Sequence, residues 1–152
     1  MIANPARIYE GCPPGTVQMY KLRLVDHFLL QPLGEAWDVR VTSAYRSQTA
    51  QSALYALDDQ RSGRKAKGVS QHSLGEAVDV VTEPVGHLLA CFEWCLKHLR
   101  PWQAILEYAG TRPECIHLSL PSEVVTIQAK RLLWYDGRWL TFEGQFPQLV
   151  PA

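Results

Sequence analysis

The N-terminal half of the chain has apolar residues at helical spacing in two places. A first helix is predicted to begin near Thr16, to end at Pro32 and Gly34, and to bury one apolar face. That face comprises Val17, Tyr20, Leu24, Val25, Phe28 and Leu29. A second helix is expected after Ser47, whose hydroxyl suits a helix N-cap. Its buried stripe comprises Ala50, Ala53, Leu54 and Leu57.

Strand-like patterns separate and follow these helices. Residues 37–42 alternate between apolar and polar positions, which predicts a strand with one face formed by Val39 and Val41. Residues 103–108 and 115–120 also predict strands. Residues 131–142 resemble a hairpin, because Asp136-Gly137 is a favoured two-residue turn.

A third helix is predicted between the two groups of strands. Pro84 suits its first turn, and Pro101 is expected to stop it. Its apolar face comprises Val85, Leu88, Leu89, Phe92, Leu96 and Leu99. The mixture of helices and antiparallel strands predicts the α+β class, with a small antiparallel sheet, helices packed on one side of it and a C-terminal β-hairpin.

The stretch Ser70–Val81 changes from a polar turn to an apolar run rich in valine, which predicts a loop leading into a buried strand. His72 and Asp79 stand in this stretch with six residues between them, and Gly75 lets the loop fold so that they converge. Imidazole and carboxylate groups are both zinc ligands. The stretch therefore supplies two candidate ligands of a metal site.

Composition is that of an ordinary globular protein. The 152 residues fit one domain, with 47% hydrophobic and 20% charged residues. The formal net charge is zero, so neither a nucleic acid nor a membrane surface is an expected partner. A monomer is expected.

Cysteine usage and the N-terminus bear on the compartment. The four cysteines are too sparse for a disulfide framework, so we expect reduced thiols that lie mostly in the core. The N-terminus lacks the pattern of a secretory signal, and no apolar run reaches the ~20 residues of a membrane helix. Cytoplasmic localisation after synthesis is the resulting expectation.

A third metal ligand is expected at His117. It lies in an apolar strand segment, Cys115–Leu120, where alternation places His117 and Ser119 opposite three aliphatic residues. The remaining histidines are expected at the surface or the edge of the core: His27, His87 and His98. Two histidines and one aspartate would leave the fourth tetrahedral position open, as in catalytic zinc sites.

Four segments in order resemble the zinc D-alanyl-D-alanine carboxypeptidase family. Ser70–Asp79 matches its S-x-H-x-x-G-x-A-x-D signature. Ser43–Ser47 is similar to S-G-Y-R-S, Gln103–Glu107 to the strand before the site, and Ile116–Ser119 to W-[VI]-H-[VIL]-S. The motif-bearing core covers residues 37–120, about half of the chain, and neither end carries a further motif.

The resemblance implies a fold like that of the hedgehog signalling domain and of the D-alanyl-D-alanine peptidases. It also implies Zn²⁺ held by His72, Asp79 and His117, with water as the fourth ligand. Two glutamates are alternatives for the catalytic base, and the preferred one is Glu114, three residues before His117. This choice requires a bend at Pro113-Glu114, since an offset of three on a strict strand separates the two side chains.

The alternative base is Glu107, at the end of the preceding strand. Arg46 is expected to hold either the oxyanion or a terminal carboxylate of the substrate. Gln71 and Ser119 are further candidates that could orient the ligands or the substrate.

The implied function is hydrolysis of a peptide bond next to D-alanine in the stem peptide of bacterial peptidoglycan. A phage or prophage endolysin fits the small size and the absence of a visible signal peptide. Whether the enzyme would act as a carboxypeptidase or an endopeptidase stays open. The alternatives are a non-catalytic, zinc-stabilised binding domain of the hedgehog-like type and an α+β domain without metal.

Overall fold

The computed structural model describes residues 2–62, 69–128, 132–135, 138–144 and 146, and for residues 58–62 it describes the backbone alone. The helices are α1 (Thr16–Val25), α2 (Gln31–Ala36), α3 (Gln48–Ser62) and α4 (Leu88–His98). Short 3₁₀ turns are formed by Pro5–Arg7, Gln71–Leu74 and Val85–His87. The strands are β1 (Tyr9–Glu10), β2 (Val39–Ser43), β3 (Tyr45–Arg46), β4 (Ala77–Thr82), β5 (Gln103–Ala109), β6 (Arg112–Ser119), β7 (Leu132–Tyr135) and β8 (Arg138–Thr141). The predicted α+β class is confirmed.

Six strands form the main sheet, in the order β2-β4-β6-β5-β7-β8. All neighbouring strands are antiparallel except β5 and β7, which run parallel. The expected C-terminal hairpin is present as β7 and β8, and it extends the main sheet. Its expected turn, Asp136-Gly137, lies outside the described residues. β1 and β3 form a separate parallel pair.

One face of the main sheet packs against the helices. The side chains of this face alternate along the three central strands and are fully buried: Val78, Val80, Ala104, Leu106, Ile116 and Leu118. Together with Leu22 and Leu29 of the first helical run and Phe92 of α4, they belong to one apolar cluster. Because side chains alternate across a strand, the residues between them lie on the opposite face, and that face carries Asp79 and His117.

The first helix continues past its predicted end. A π-helical segment, Asp26–Leu30, joins α1 to α2, and Pro32 lies directly after that segment, near the start of α2. The buried residues of this run are Leu22, Val25, Leu29, Leu30 and Leu33. Of the predicted face, Val17, Tyr20 and Phe28 are exposed. The π-helical segment has more residues per turn, so it rotates the face at Phe28 away from the simple helical spacing; Val17 and Tyr20 precede this segment, and nothing in the structure explains their exposure.

The second and third helices differ from the prediction at their faces and starts. Ser47 caps α3 as predicted, since the Ala50 N–H donates to its Oγ at 3.2 Å. The predicted buried stripe of α3 is wrong, because Leu54 and Leu57 are exposed. α4 begins after a 3₁₀ turn and ends at His98, ahead of Pro101.

Gly75 ends the turn that leads into β4, and its backbone allows close contact with α1. Its φ is +72°, and a Cβ at this position would lie 2.6 Å from the carbonyl oxygen of Gln18. Gly110 has a similar φ of +62°, yet a Cβ there would meet nothing within 4 Å. Substitutions at these two glycines therefore distinguish the cost of backbone strain from the cost of steric overlap.

Gly75→Ala is expected to lower the free energy of unfolding by at least about 2 kcal/mol, because strain and overlap with α1 act together. Gly110→Ala should cost only about 1 kcal/mol, the strain alone. Urea denaturation of both variants provides the measurement. Equal losses would show that α1 does not restrict the turn at Gly75.

Candidate metal centre

His72 is held in one orientation by the turn that carries it. The residue lies in the 3₁₀ turn Gln71–Leu74, and the Ser70 hydroxyl accepts a hydrogen bond from the His72 N–H at 3.3 Å. The Nδ1 atom of the ring lies 2.7 Å from the carbonyl oxygen of Ala44. A carbonyl can only accept, so Nδ1 carries the proton and Nε2 keeps its lone pair for a metal.

Asp79 and His117 face each other across the centre of the sheet. They are direct cross-strand partners on β4 and β6, so the register itself brings their side chains together. Oδ1 of Asp79 lies 3.0 Å from Nδ1 of His117 and 3.2 Å from Nε2 of His72. One carboxylate oxygen thus contacts both imidazoles.

The charges of this group shift its protonation strongly. Burial acts to raise the pKa of Asp79, but the two imidazoles outweigh it, and the pKa falls far below its ordinary range. Burial acts to lower the pKa of His72, yet the Asp79 carboxylate reverses the sign and raises it. Without a metal ion, a negative Asp79 therefore favours a proton on the His72 imidazole.

The three side chains fit a transition-metal ion. Zinc at about 2.0–2.2 Å from nitrogen and oxygen donors holds those donors roughly 3.4 Å apart in a tetrahedral site. The donor atoms of His72 and His117 lie 3.2 Å and 3.0 Å from Asp79 Oδ1, within a few tenths of an ångström of that separation. The Ala44 carbonyl supplies the second partner that metal-binding histidines usually have. The structure thus groups His72, Asp79 and His117 as potential metal ligands.

Glu107 lies beside this group. Glu107 on β5 is the cross-strand partner of Cys115 on β6. Cys115 precedes His117 by two positions on β6, so the three side chains share one face of the sheet. Donor atoms of Asp79, Glu107 and Cys115 lie within 4.8 Å of one another. Burial, followed by the charge of Asp79, raises the pKa of Glu107, against smaller opposite effects of the histidines and Cys115.

Glu114 does not join the group. The register between β5 and β6 shifts at this point, with Glu107 opposite Cys115 and Tyr108 opposite Pro113, so Glu114 is the extra residue of a bulge. The expected irregularity near Pro113 is therefore present within β6, but the Glu114 side chain is exposed. Of the two alternatives for the base, the structure brings Glu107 to the ligands.

The guanidinium of Arg46 forms hydrogen bonds with three side chains of the protein. The guanidinium is buried; Nε donates to Glu10 at 3.1 Å, Nη1 to Gln51 at 2.9 Å and Nη2 to Ser43 at 3.0 Å. These bonds brace the short segment that contains Ala44, whose carbonyl orients His72. The expected contact of Arg46 with substrate stays a prediction, and the geometry assigns the residue a positioning role.

Gln71 and Ser119 also make contacts within the protein. Gln71 donates to Glu76 at 3.2 Å and to the Leu120 carbonyl at 2.8 Å, while the Ser119 hydroxyl accepts from the Gln103 N–H at 3.1 Å. Glu76 is itself buried and pairs with Lys21 of α1 at 2.7 Å. These bonds tie the turn of His72 to the helix and to the end of β6.

Sequence reasoning did not assign four contributors to this region. Ala44 acts through its backbone carbonyl, which no side-chain pattern reveals. Glu76 lies inside the signature but was given no partner, and Lys21 is remote in sequence. Cys115 could have been found, since it precedes His117 by two positions and must share its face of the strand.

The three other histidines are exposed, as expected: His27, His87 and His98. All four cysteines are free thiols, three of them buried. Within the described residues, none of the helices combines the length and the apolar character that crossing a membrane requires. Comparison with protein-family models, with curated proteins and with solved structures gave no match. The functional argument therefore depends on the geometry of the site.

The dialysed protein is expected to retain about one zinc ion per chain, since a metal that binds only the folded state stabilises it. Zinc at 100 times its Kd should add about 2.7 kcal/mol to the free energy of unfolding. His117→Ala should retain no zinc, and His98→Ala, at an exposed position, should retain it all. Elemental analysis and thermal unfolding with and without chelator test this; a zinc content unaffected by His117→Ala would contradict it.

Arg46→Ala is expected to weaken zinc binding by roughly 10- to 100-fold, because the support of the Ala44 carbonyl is lost. Arg40→Ala removes only an exposed ion pair with Glu83 from the same region and should leave zinc affinity unchanged. Competition with a chelating dye measures both affinities. Unchanged zinc affinity in Arg46→Ala, together with slower turnover, would instead support a direct role of Arg46 toward substrate.

Proposed function

We propose that this chain is a zinc peptidase that hydrolyses a peptide bond of bacterial cell-wall peptide next to D-alanine. One observation carries the proposal: His72 and His117 converge on Asp79 Oδ1, at 3.2 Å and 3.0 Å, with the Glu107 carboxylate beside them. This is a two-histidine, one-aspartate donor set with a carboxylate near enough to serve as general base. The S-x-H-x-x-G-x-A-x-D resemblance supplies the class of substrate.

The metal and Glu107 would divide the chemistry between them. When bound, zinc would act as a Lewis acid toward the scissile carbonyl and lower the pKa of water toward about 7. Glu107 would accept a proton from the attacking water and deliver it to the departing amine. Such general base and acid catalysis contributes typically 10²–10⁴-fold in rate. The partial burial of Glu107 suits this exchange, because a raised pKa brings the carboxylate closer to a pKa at which it can also donate.

Several features support a fold related to the hedgehog and D-alanyl-D-alanine peptidase type. The ligands arise from a turn before one central strand, from that strand and from its antiparallel neighbour. The helices cover the apolar face of the sheet, and the candidate ligands Asp79 and His117 lie on the opposite face. The same resemblance favours a phage or prophage endolysin, which would reach the wall after release from the cell.

A non-catalytic zinc domain is the competing hypothesis. In such a domain the metal would only brace the fold, and a further carboxylate beside the ligands would have no task. Burying a carboxylate next to another negative group costs free energy. Glu107 nevertheless lies there, partly buried and close to Asp79, which favours catalysis over bracing.

Defined stem peptides that end in D-alanyl-D-alanine, and cross-linked dimers of them, test the function by mass spectrometry of the products. Cleavage should require zinc and stop on chelation. Glu107→Gln should keep its zinc and lose at least about 10²-fold in kcat. Glu114→Gln removes the same charge from the exposed neighbouring position and should keep activity.

Loss of turnover in Glu114→Gln but not in Glu107→Gln, with zinc retained, would identify Glu114 as the catalytic base. Absence of cleavage of all wall peptides by zinc-loaded protein would refute the peptidase proposal. The masses of the products also distinguish a carboxypeptidase, which releases single D-alanine, from an endopeptidase.

A further inference from the structure

A second set of metal-binding side chains lies against the first and shares Asp79 with it. It consists of Asp79, Glu107 and Cys115, whose donor atoms all lie within 4.8 Å of one another. The set combines two carboxylates with a thiol, and it comes from three adjacent strands. Both imidazoles of the first group contact Oδ1 of Asp79, so Oδ2 is the oxygen available to a second ion.

The spacing of the thiol and the carboxylate matches a zinc-sized ion. Cys115 Sγ lies 3.7 Å from Glu107 Oε2. A tetrahedral zinc with bonds of about 2.3 Å to sulfur and about 2.1 Å to oxygen separates these donors by roughly 3.6 Å. A thiolate in the donor set favours zinc or cadmium over magnesium or calcium, which prefer oxygen ligands alone.

We propose that this chain binds a second, thiophilic divalent metal ion at Asp79, Glu107 and Cys115, and that this ion inhibits the enzyme by coordinating Glu107. The inhibitory part rests on the proposed function, since it requires Glu107 to act as the base. Asp79 would contribute to both sites, since the two histidines contact Oδ1 and Oδ2 stays available to the second ion. A Glu107 that coordinates a metal cannot accept a proton from water.

The ion pairs of the carboxylates and the protonation of the thiol determine how strongly the second site would bind a metal ion. The ion pairs of Asp79 are with the two histidines, and Glu107 forms none with the described residues. A metal ion would therefore supply Glu107 with a cationic partner. On binding, the Cys115 thiol must release its proton to solvent as the sulfur–metal bond forms, and this cost lowers the affinity. The first ion thus fills at lower concentration, and the second fills only in excess metal.

Metal titration of the whole chain tests the proposal without a substrate. Equilibrium dialysis against zinc should give two ions per chain at saturation for the unmodified protein and for Cys12→Ser, which removes the exposed cysteine. Cys115→Ser should bind one, because serine keeps a hydroxyl to donate to Glu107 but offers no thiolate. With cadmium, the ultraviolet charge-transfer band of a thiolate should grow only after the first equivalent and be absent in Cys115→Ser.

Alkylation provides a readout that needs no variant. Peptide mass mapping should show that the second equivalent of zinc, and not the first, protects Cys115 from a thiol reagent in the unmodified protein. In turnover assays, excess zinc should inhibit this protein, and Cys115→Ser should require at least about tenfold more zinc for the same inhibition.

The outcomes separate the two proposals. A single zinc per chain with no thiolate band would overturn the second site and leave the peptidase intact. A single zinc whose cadmium form shows a thiolate band that Cys115→Ser removes would also overturn it, because Cys115 would then belong to one mixed site. Two ions with the expected band and no cleavage of wall peptide would support the second site while refuting the peptidase.

Discussion

A single buried carboxylate oxygen, Oδ1 of Asp79, contacts the imidazoles of both His72 and His117. An ionised carboxylate removed from water is stable only when its charge is compensated, and here the compensation comes from two side chains on different elements. The turn before β4, the strand β4 and the strand β6 must therefore be placed correctly at the same time. A metal ion at this point would compensate the same negative charge and link the same elements.

The support of this centre extends to parts of the chain that carry no motif. The N-terminal strand β1 pairs with β3, and Glu10 within β1 bonds to Arg46. This pairing holds the segment whose carbonyl, at Ala44, sets the tautomer of His72. Lys21 of α1 pairs with the buried Glu76 from the other side of the turn. The first helical run thus stabilises the site directly, in addition to covering the core.

Strand alternation assigns the two faces of the sheet to different tasks. Val78, Leu106 and Ile116 point toward the helices, and the residues between them line the metal centre. The strand register decides which of these residues are neighbours, so Glu107 lies opposite Cys115, two positions along β6 from His117. The bulge in β6 leaves Glu114 unpaired and exposed. The same geometry places the Cys115 thiol against the Glu107 carboxylate, and the proposals of a catalytic base and of a second metal site both depend on that adjacency.

From the sequence alone, His72, Asp79 and His117 could be predicted to lie together as potential metal ligands, because their spacing and the apolar strand around His117 are local signals. The fold class, the Ser47 cap and the hairpin strands could also be predicted from local signals. The position of Glu107 rather than Glu114 beside these side chains, the contacts of Arg46 and the buried face of the first helix depended on tertiary structure. Each of these features depends on strand register, on a bulge, on a π-helical segment or on an element remote in sequence. Residue spacing along one element carries no information about them.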